Sequence, residues 1–157
     1  MRSMAIKKYP EGVLRKKTRA IMGPGAKEKK LFRDMADTMY ATNGIGLAAP
    51  QVGISKSIAV VDTGEGLIKM INPEILSKRG TASLEEGCLS VPKHSVSVKR
   101  AEEIRLSYTD EDGKLCKKTF RGLTARAIQH EIDHLNGKLI IDYLPWYKKI
   151  FVKNRGK

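Results

Sequence analysis

Apolar residues recur at helical spacing over 26–42: Leu31, Phe32, Met35, Met39 and Tyr40, with lysines and acids on the opposite face. This periodicity predicts an amphipathic helix ending near Asn43-Gly44, with Gly44 in the left-handed cap position. The period then changes. Residues 57–62 read as a short apolar strand, and 63–66 as a turn. Residues 67–71 form a second strand stopped by Asn72-Pro73, and 75–77 a third ended by Gly80. Val96 and Val98 alternate with polar neighbours, as do Ile104, Leu106 and Tyr108. A hairpin turn at 109–113 returns the chain through 114–121. A second helix opens at Gly122-Leu123-Thr124, either capped by Thr124 or starting one residue earlier, and Gly137 stops it. An apolar segment at 139–143 and Pro145 precede a basic tail. The expected class is α+β: antiparallel β-sheets around one central helix, in a single domain over 1–147 with a tail over 148–157.

Size and composition agree with one domain. The chain has 157 residues, 41% of them hydrophobic and 30% charged. No run of about 18 apolar residues predicts a membrane span, and the N-terminal residues lack the apolar segment of a secretory signal. A cytoplasmic monomer is expected, or an organellar one if a transit peptide has been removed. Two cysteines, Cys88 and Cys116, are too few for a disulfide scaffold. Thirty basic against 17 acidic residues give a net charge of +13. That charge suits weak attraction to RNA or to an RNA-rich particle, although no sequence-specific nucleic-acid motif accompanies it.

The second helix carries His130-Glu131-Ile132-Asp133-His134, an H-E-x-x-H pattern. Positions i and i+4 share one helix face, so the two imidazoles can hold one metal ion, with Glu131 beside them as a base. A catalytic site of this kind normally takes a third protein ligand and keeps one position open. The candidates are His94, Cys88, Cys116 and the acids. Cys88 is the strongest, because Glu85 to Pro92 reads as irregular, conformationally specified backbone and a thiolate binds zinc or ferrous iron well. Cys116 reads as a half-buried strand residue and His94 as a surface residue. The stretch from Gly44 to Gly53 is rich in glycine and alanine, which lets backbone approach a neighbour closely; by itself it is a weak signal.

Together, Gly44-Ile45-Gly46-Leu47-Ala48-Ala49-Pro50-Gln51, Glu86-Gly87-Cys88-Leu89-Ser90 and His130-Glu131-Ile132-Asp133-His134-Leu135 resemble the three motifs of the peptide deformylase family, in the family's order. The resemblance runs from about Tyr9-Pro10 to Asp142-Tyr143-Leu144. It implies a hydrolase that removes the formyl group from the N-terminal formylmethionine of nascent polypeptides. It implies that Cys88, His130 and His134 hold the metal, ferrous iron foremost, with zinc, nickel or cobalt as substitutes. Metal-bound hydroxide would attack the formyl carbon, with Glu131 as general base and then acid. The Gln51 side chain and the Leu89 backbone N–H would stabilise the oxyanion. Gly44, Ile45 and Gly46 would line the peptide, Ala48 and Ala49 would leave room near the metal, and Arg100 would lie near the substrate. Asp133 faces a different side of the helix from the histidines and reads either as a partner that orients Arg100 or as a member of a plain surface ion pair. Ile45, Leu89, Leu123, Ala127 and Ile128 are candidates for the methionine pocket. Lys93 and Thr124 depart from the family's common residues, a glycine or acid and a leucine. The basic tail, with Lys148, Lys149, Lys153, Arg155 and Lys157, would be available for transient contact with the ribosome.

Two rival readings remain at this level. A zinc peptidase usually draws its third ligand from downstream, but no histidine follows His134 and Asp142 is the only later acid. A basic RNA-binding module with a structural metal would want four protein ligands, and only three are in plausible positions.

Overall fold

The computed structural model describes residues 3–149. Two helices, α1 (Ala26–Ala41) and α2 (Gly122–Leu135), pack against seven strands. The strands are β1 (Gly46–Ala48), β2 (Ile58–Val61), β3 (Ile68–Arg79), β4 (Ala82–Cys88), β5 (Val91–Arg100), β6 (Glu103–Thr109) and β7 (Leu115–Arg121). Five form one antiparallel sheet in the order β1-β2-β3-β6-β7, while β4 and β5 pair only with each other. The expected α+β class with antiparallel sheets around the metal-motif helix is what the chain adopts. Among the described residues, no helix is long and apolar enough to cross a membrane. Lys153, Arg155 and Lys157 lie outside the described residues.

The unbroken apolar run of β2 follows from burial on both faces. Ile58 and Val60 pack with Leu31, Phe32, Met35 and Met39 of α1. Ala59 and Val61 turn the other way, toward Ala125, Ala127, Ile128 and Leu135 of α2. Alternate side chains of one strand thus serve two helices. The small residues of α2 let that helix approach the sheet closely, which places its metal-motif turn against β1.

The fold differs from the sequence reading at four places. The left-handed residue closing α1 is Asn43, with φ 57°, and the Gly44 N–H bonds to Met39 O at 2.9 Å. Asparagine tolerates this region better than most residues, so the cap falls one residue earlier than Gly44. Asn72-Pro73 does not end a strand: β3 runs through it with a register shift between Ile71 and Glu74. Proline lacks a ladder donor and is accepted at such a bulge. Asn72, at φ 51°, clamps the Ile21 backbone through both atoms of its amide. Residues 85–92 belong to the β4–β5 hairpin rather than to a loop, with Cys88 paired to Val91 across the Leu89-Ser90 turn, and the irregularity expected there is a register shift between Glu86 and Cys88. Finally, α2 starts at Gly122 with Arg121 before it, and Thr124 is buried inside the helix. The Thr124 hydroxyl shares a hydrogen bond with Thr63 at 2.6 Å instead of capping. Lys93 holds φ 67°, which accounts physically for glycine being at ease at that position.

Gly137 ends α2 at φ 76°, and a Cβ there would meet Arg15 O at 2.5 Å. Gly137→Ala combines a disfavoured backbone region with a backbone clash and should destabilise the fold by about 2 kcal/mol or more. The urea midpoint measures this, and a midpoint equal to wild type would contradict it.

Candidate active site

Two of the candidate ligands sit one turn apart on α2 and the third closes β4. His130 Nε2 and His134 Nε2 are 3.2 Å apart, and Cys88 Sγ is 3.3 Å from His134 Nε2. Among the described residues, these three donors form the group able to hold a metal ion, all within 4.8 Å of one another. Two nitrogens at about 2.0–2.1 Å from a tetrahedral ion stand about 3.3 Å apart, so the spacing fits a shared ion. His94 and Cys116 are elsewhere: His94 lies on β5, and Cys116 lies on β7 beside Asp110.

A carboxylate that the sequence reading passed over fixes the cradle. Glu86 Oε1 lies 3.0 Å from His130 Nδ1, which leaves the Nε2 lone pair for an ion. Glu86 also accepts from Arg100 Nε and Nη2 at 3.0 and 2.8 Å, and from Arg126 Nη1 at 2.6 Å. Burial alone would raise the Glu86 carboxyl, but His130 and Arg100 together hold it well below the usual carboxylate range. Arg126 continues to Val98 O and Ala82 O, riveting α2 to both strands of the hairpin.

Glu131 is buried, and burial pushes its carboxyl up to about 7, partly offset by His130 and Arg100. Its Oε1 is a buried acceptor with no partner among the described residues. The carboxylate lies so close to Gly46 that a Cβ on that glycine would overlap Glu131 Oε2. An orphaned acceptor beside three converging donors is the arrangement expected where an ion and its water belong.

Gln51 sits on a one-turn 3-10 helix, Ala49–Val52, directly after β1. Its Oε1 accepts from Ala48 N at 2.9 Å, so its Nε2 is turned toward Ser90 Oγ at 3.3 Å and Cys88 Sγ at 3.8 Å. Backbone bonds from Lys7 to Gln51 and from Tyr9 to Ser90 tie both loops to the N-terminal segment.

A cavity of about 450 Å³ opens beside these groups. Its wall includes Gly44, Ile45, Gly46, Gln51, Cys88, Leu89, Leu123, Ala127, His130 and Glu131. Ile128, a pocket candidate by sequence, faces the core between α2 and the sheet instead. Ala48 and Ala49 are buried behind the wall. Arg100 does not reach the cavity either. It is buried behind Glu86, and its Nη1 donates to Asp133 at 2.6 Å and to Tyr143 Oη at 3.1 Å. The Arg100–Asp133 pair therefore forms, and it does so outside the wall of this cavity. Glu86 and Arg126 were the functional positions sequence reasoning missed. The available signal was the i, i+4 spacing of Arg126 and His130, which puts both on one helix face.

Known proteins resemble this chain over nearly its whole length. A peptide deformylase of Thermodesulfovibrio yellowstonii is 46% identical over 98% of this chain and 96% of its own length. The crystal structure of a peptide deformylase from Legionella pneumophila superposes with a TM-score of 0.91 at 40% identity, covering 98% of this chain and 92% of that one. That of a peptide deformylase from Ehrlichia chaffeensis in complex with actinonin gives 0.94 at 35% identity, covering 99% and 96%. The polypeptide deformylase family model matches residues 3–149, the whole of the described fold, and the chain belongs to that family.

Proposed function

We propose that this protein hydrolyses the formyl amide of N-terminal formylmethionine on nascent polypeptides and releases formate. The observation that carries this reading is the convergence of Cys88, His130 and His134 beside the orphaned Glu131 carboxylate. That cradle lies between two strand edges. β1 is the outer strand of the five-stranded sheet, and β4 pairs on one side only. Ile45 O accepts from Asp62 N, so the backbone groups of Gly46, one residue on, face the other way, toward the cleft. An extended peptide can lie along such an edge as an added strand.

Cys88, His130 and His134 would hold a divalent ion, and the donor set suits ferrous iron, zinc, nickel or cobalt, with ferrous iron the ion proposed. Bound there, such an ion would supply Lewis acidity and ease the deprotonation of a water. Glu131 takes the proton of the attacking water and passes it to the departing amine. Gln51 Nε2 and the Leu89 N–H donate to the former carbonyl oxygen as it gains charge, one such donor being worth about 2.7–4 kcal/mol. Gly44, Ile45 and Gly46 line the peptide. Arg100 acts at one remove, by holding the Glu86 carboxylate that orients His130. A monomer in transient contact with RNA through exposed Lys148 and Lys149 completes the proposal.

The metal-loaded protein should release formate from formyl-Met-Ala-Ser, leave the internal peptide bonds intact and lose activity on chelation. Peptide-bond cleavage without formate would refute the reading. Glu131→Gln should keep its metal, measured by elemental analysis, and lose at least about a hundredfold in kcat. Cys88→Ala should lose the metal; a variant that binds and turns over like wild type would exclude Cys88 as a ligand. Gly46→Ala should also retain metal, yet lower kcat about tenfold or more by displacing the Glu131 carboxylate, since misplacement of about 1 Å can cost 10²-fold.

A further inference from the structure

We propose that Tyr143, which lies outside the wall of the active-site cavity, is a positioning residue that braces the metal cradle from behind. This rests on the reading of Cys88, His130 and His134 as ligands. α2 stands between two cavities. His130 and Glu131 line the one already described, whereas Gln129 and Asp133 line a second, of about 590 Å³, on another side of the helix. Arg100, Asp133 and Tyr143 meet in the wall of the second, and their polar atoms close a ring. Tyr143 Oη donates to Asp133 Oδ2 at 2.6 Å. Arg100 Nη1 donates to the same carboxylate oxygen at 2.6 Å and to Tyr143 Oη at 3.1 Å. The other edge of Arg100 grips Glu86 through Nε and Nη2, and Glu86 meets His130 Nδ1. A guanidinium is planar and rigid. Fixing Nη1 in the ring therefore fixes the edge that holds Glu86, and through it the orientation of His130.

The same tyrosine bears on the third ligand. It ends a one-turn 3-10 helix, Ile140–Tyr143, and packs on the Val96, Val98 and Ile140 cluster beneath the hairpin. Cys88 packs against that cluster too. The ring centre lies 5.1 Å from Arg100 Cζ and 4.2 Å from Lys138 Nζ, so a cation on each of two residues helps hold the ring in place. Tyr143 thus supports the Cys88 hairpin with its ring and the His130 turn with its hydroxyl. Asp133 is only partly buried, and the Tyr143 hydroxyl joins Arg100 in holding it.

Tyr143→Phe keeps the ring and deletes the hydroxyl. Losing a group bonded directly to a ligand costs about 10- to 100-fold in metal affinity. Tyr143 acts through Arg100 and Glu86, so Tyr143→Phe should weaken zinc binding by about three- to tenfold, measured by competition with a chromogenic chelator. KM for formyl-Met-Ala-Ser should stay at the wild-type value, because the hydroxyl does not reach the cavity. In an Arg100→Met background, which cuts the connection to Glu86, adding Tyr143→Phe should cost nothing further in zinc affinity. A merely structural tyrosine would lower the urea midpoint and leave zinc affinity at the wild-type value, which overturns the proposal. A loss of affinity undiminished by Arg100→Met overturns it as well. Wild-type protein that binds no zinc would instead overturn the reading of the three ligands, so the two failures are distinguishable.

Discussion

The site depends on one buried carboxylate. Glu86 is 8% exposed and is gripped by Arg100 from β5 and by Arg126 and His130 from α2. Removing a carboxylate from water is expensive, and a single partner rarely compensates in full. Here two guanidinium groups and an imidazole share the load, and Asp133 and Tyr143 satisfy the far side of Arg100. Removing one member would leave an uncompensated buried charge, a loss of about 3–5 kcal/mol. Because β4 and β5 share no ladder with the main sheet, this network is a principal tie between the hairpin that carries Cys88 and the helix that carries the histidines.

A second tie comes from the start of the chain. Lys7 and Tyr9 bond to the backbones of Gln51 and Ser90, while Leu14 packs with Val91, Leu139 and Ile141 beneath the hairpin turn. The Gln51 amide is therefore held at both ends. Ala48 N fixes its oxygen, and Ser90 Oγ with Cys88 Sγ receives its nitrogen. A side chain fixed in this way can present a donor without reorganising when charge develops nearby.

The legible and illegible parts of the sequence divide along physical lines. The helical periods, the alternation of β6 and the i, i+4 histidines depend on local spacing, and the structure keeps them. Cys88 also stands out by its neighbouring glycine and proline and lies with the two histidines, whereas Gln51 enters only through the family resemblance. Glu86 and Arg126 were illegible because their partners lie 14 to 44 residues away. In isolation, one of two adjacent glutamates and an arginine in an amphipathic helix read as solvated charges. The resemblance sets Arg100 near the substrate, and only the fold shows that it is buried behind Glu86 and does not line the cavity. Asn72-Pro73 misled differently. Proline at a strand end and proline at a bulge look alike until a partner strand is present.

Glu86 also separates two questions that a metal site often merges. In many small metal sites the ligands come together only when the ion binds, so binding energy is folding energy. In this fold the donors are gathered by other means. Helix geometry places His130 and His134, and the Glu86 network with the N-terminal clamp docks the hairpin that carries Cys88. Glu131 is likewise set by close packing on Gly46 rather than by the ion. The geometry of the three donors is thus tied to protein contacts, the Glu86 network and the N-terminal clamp foremost.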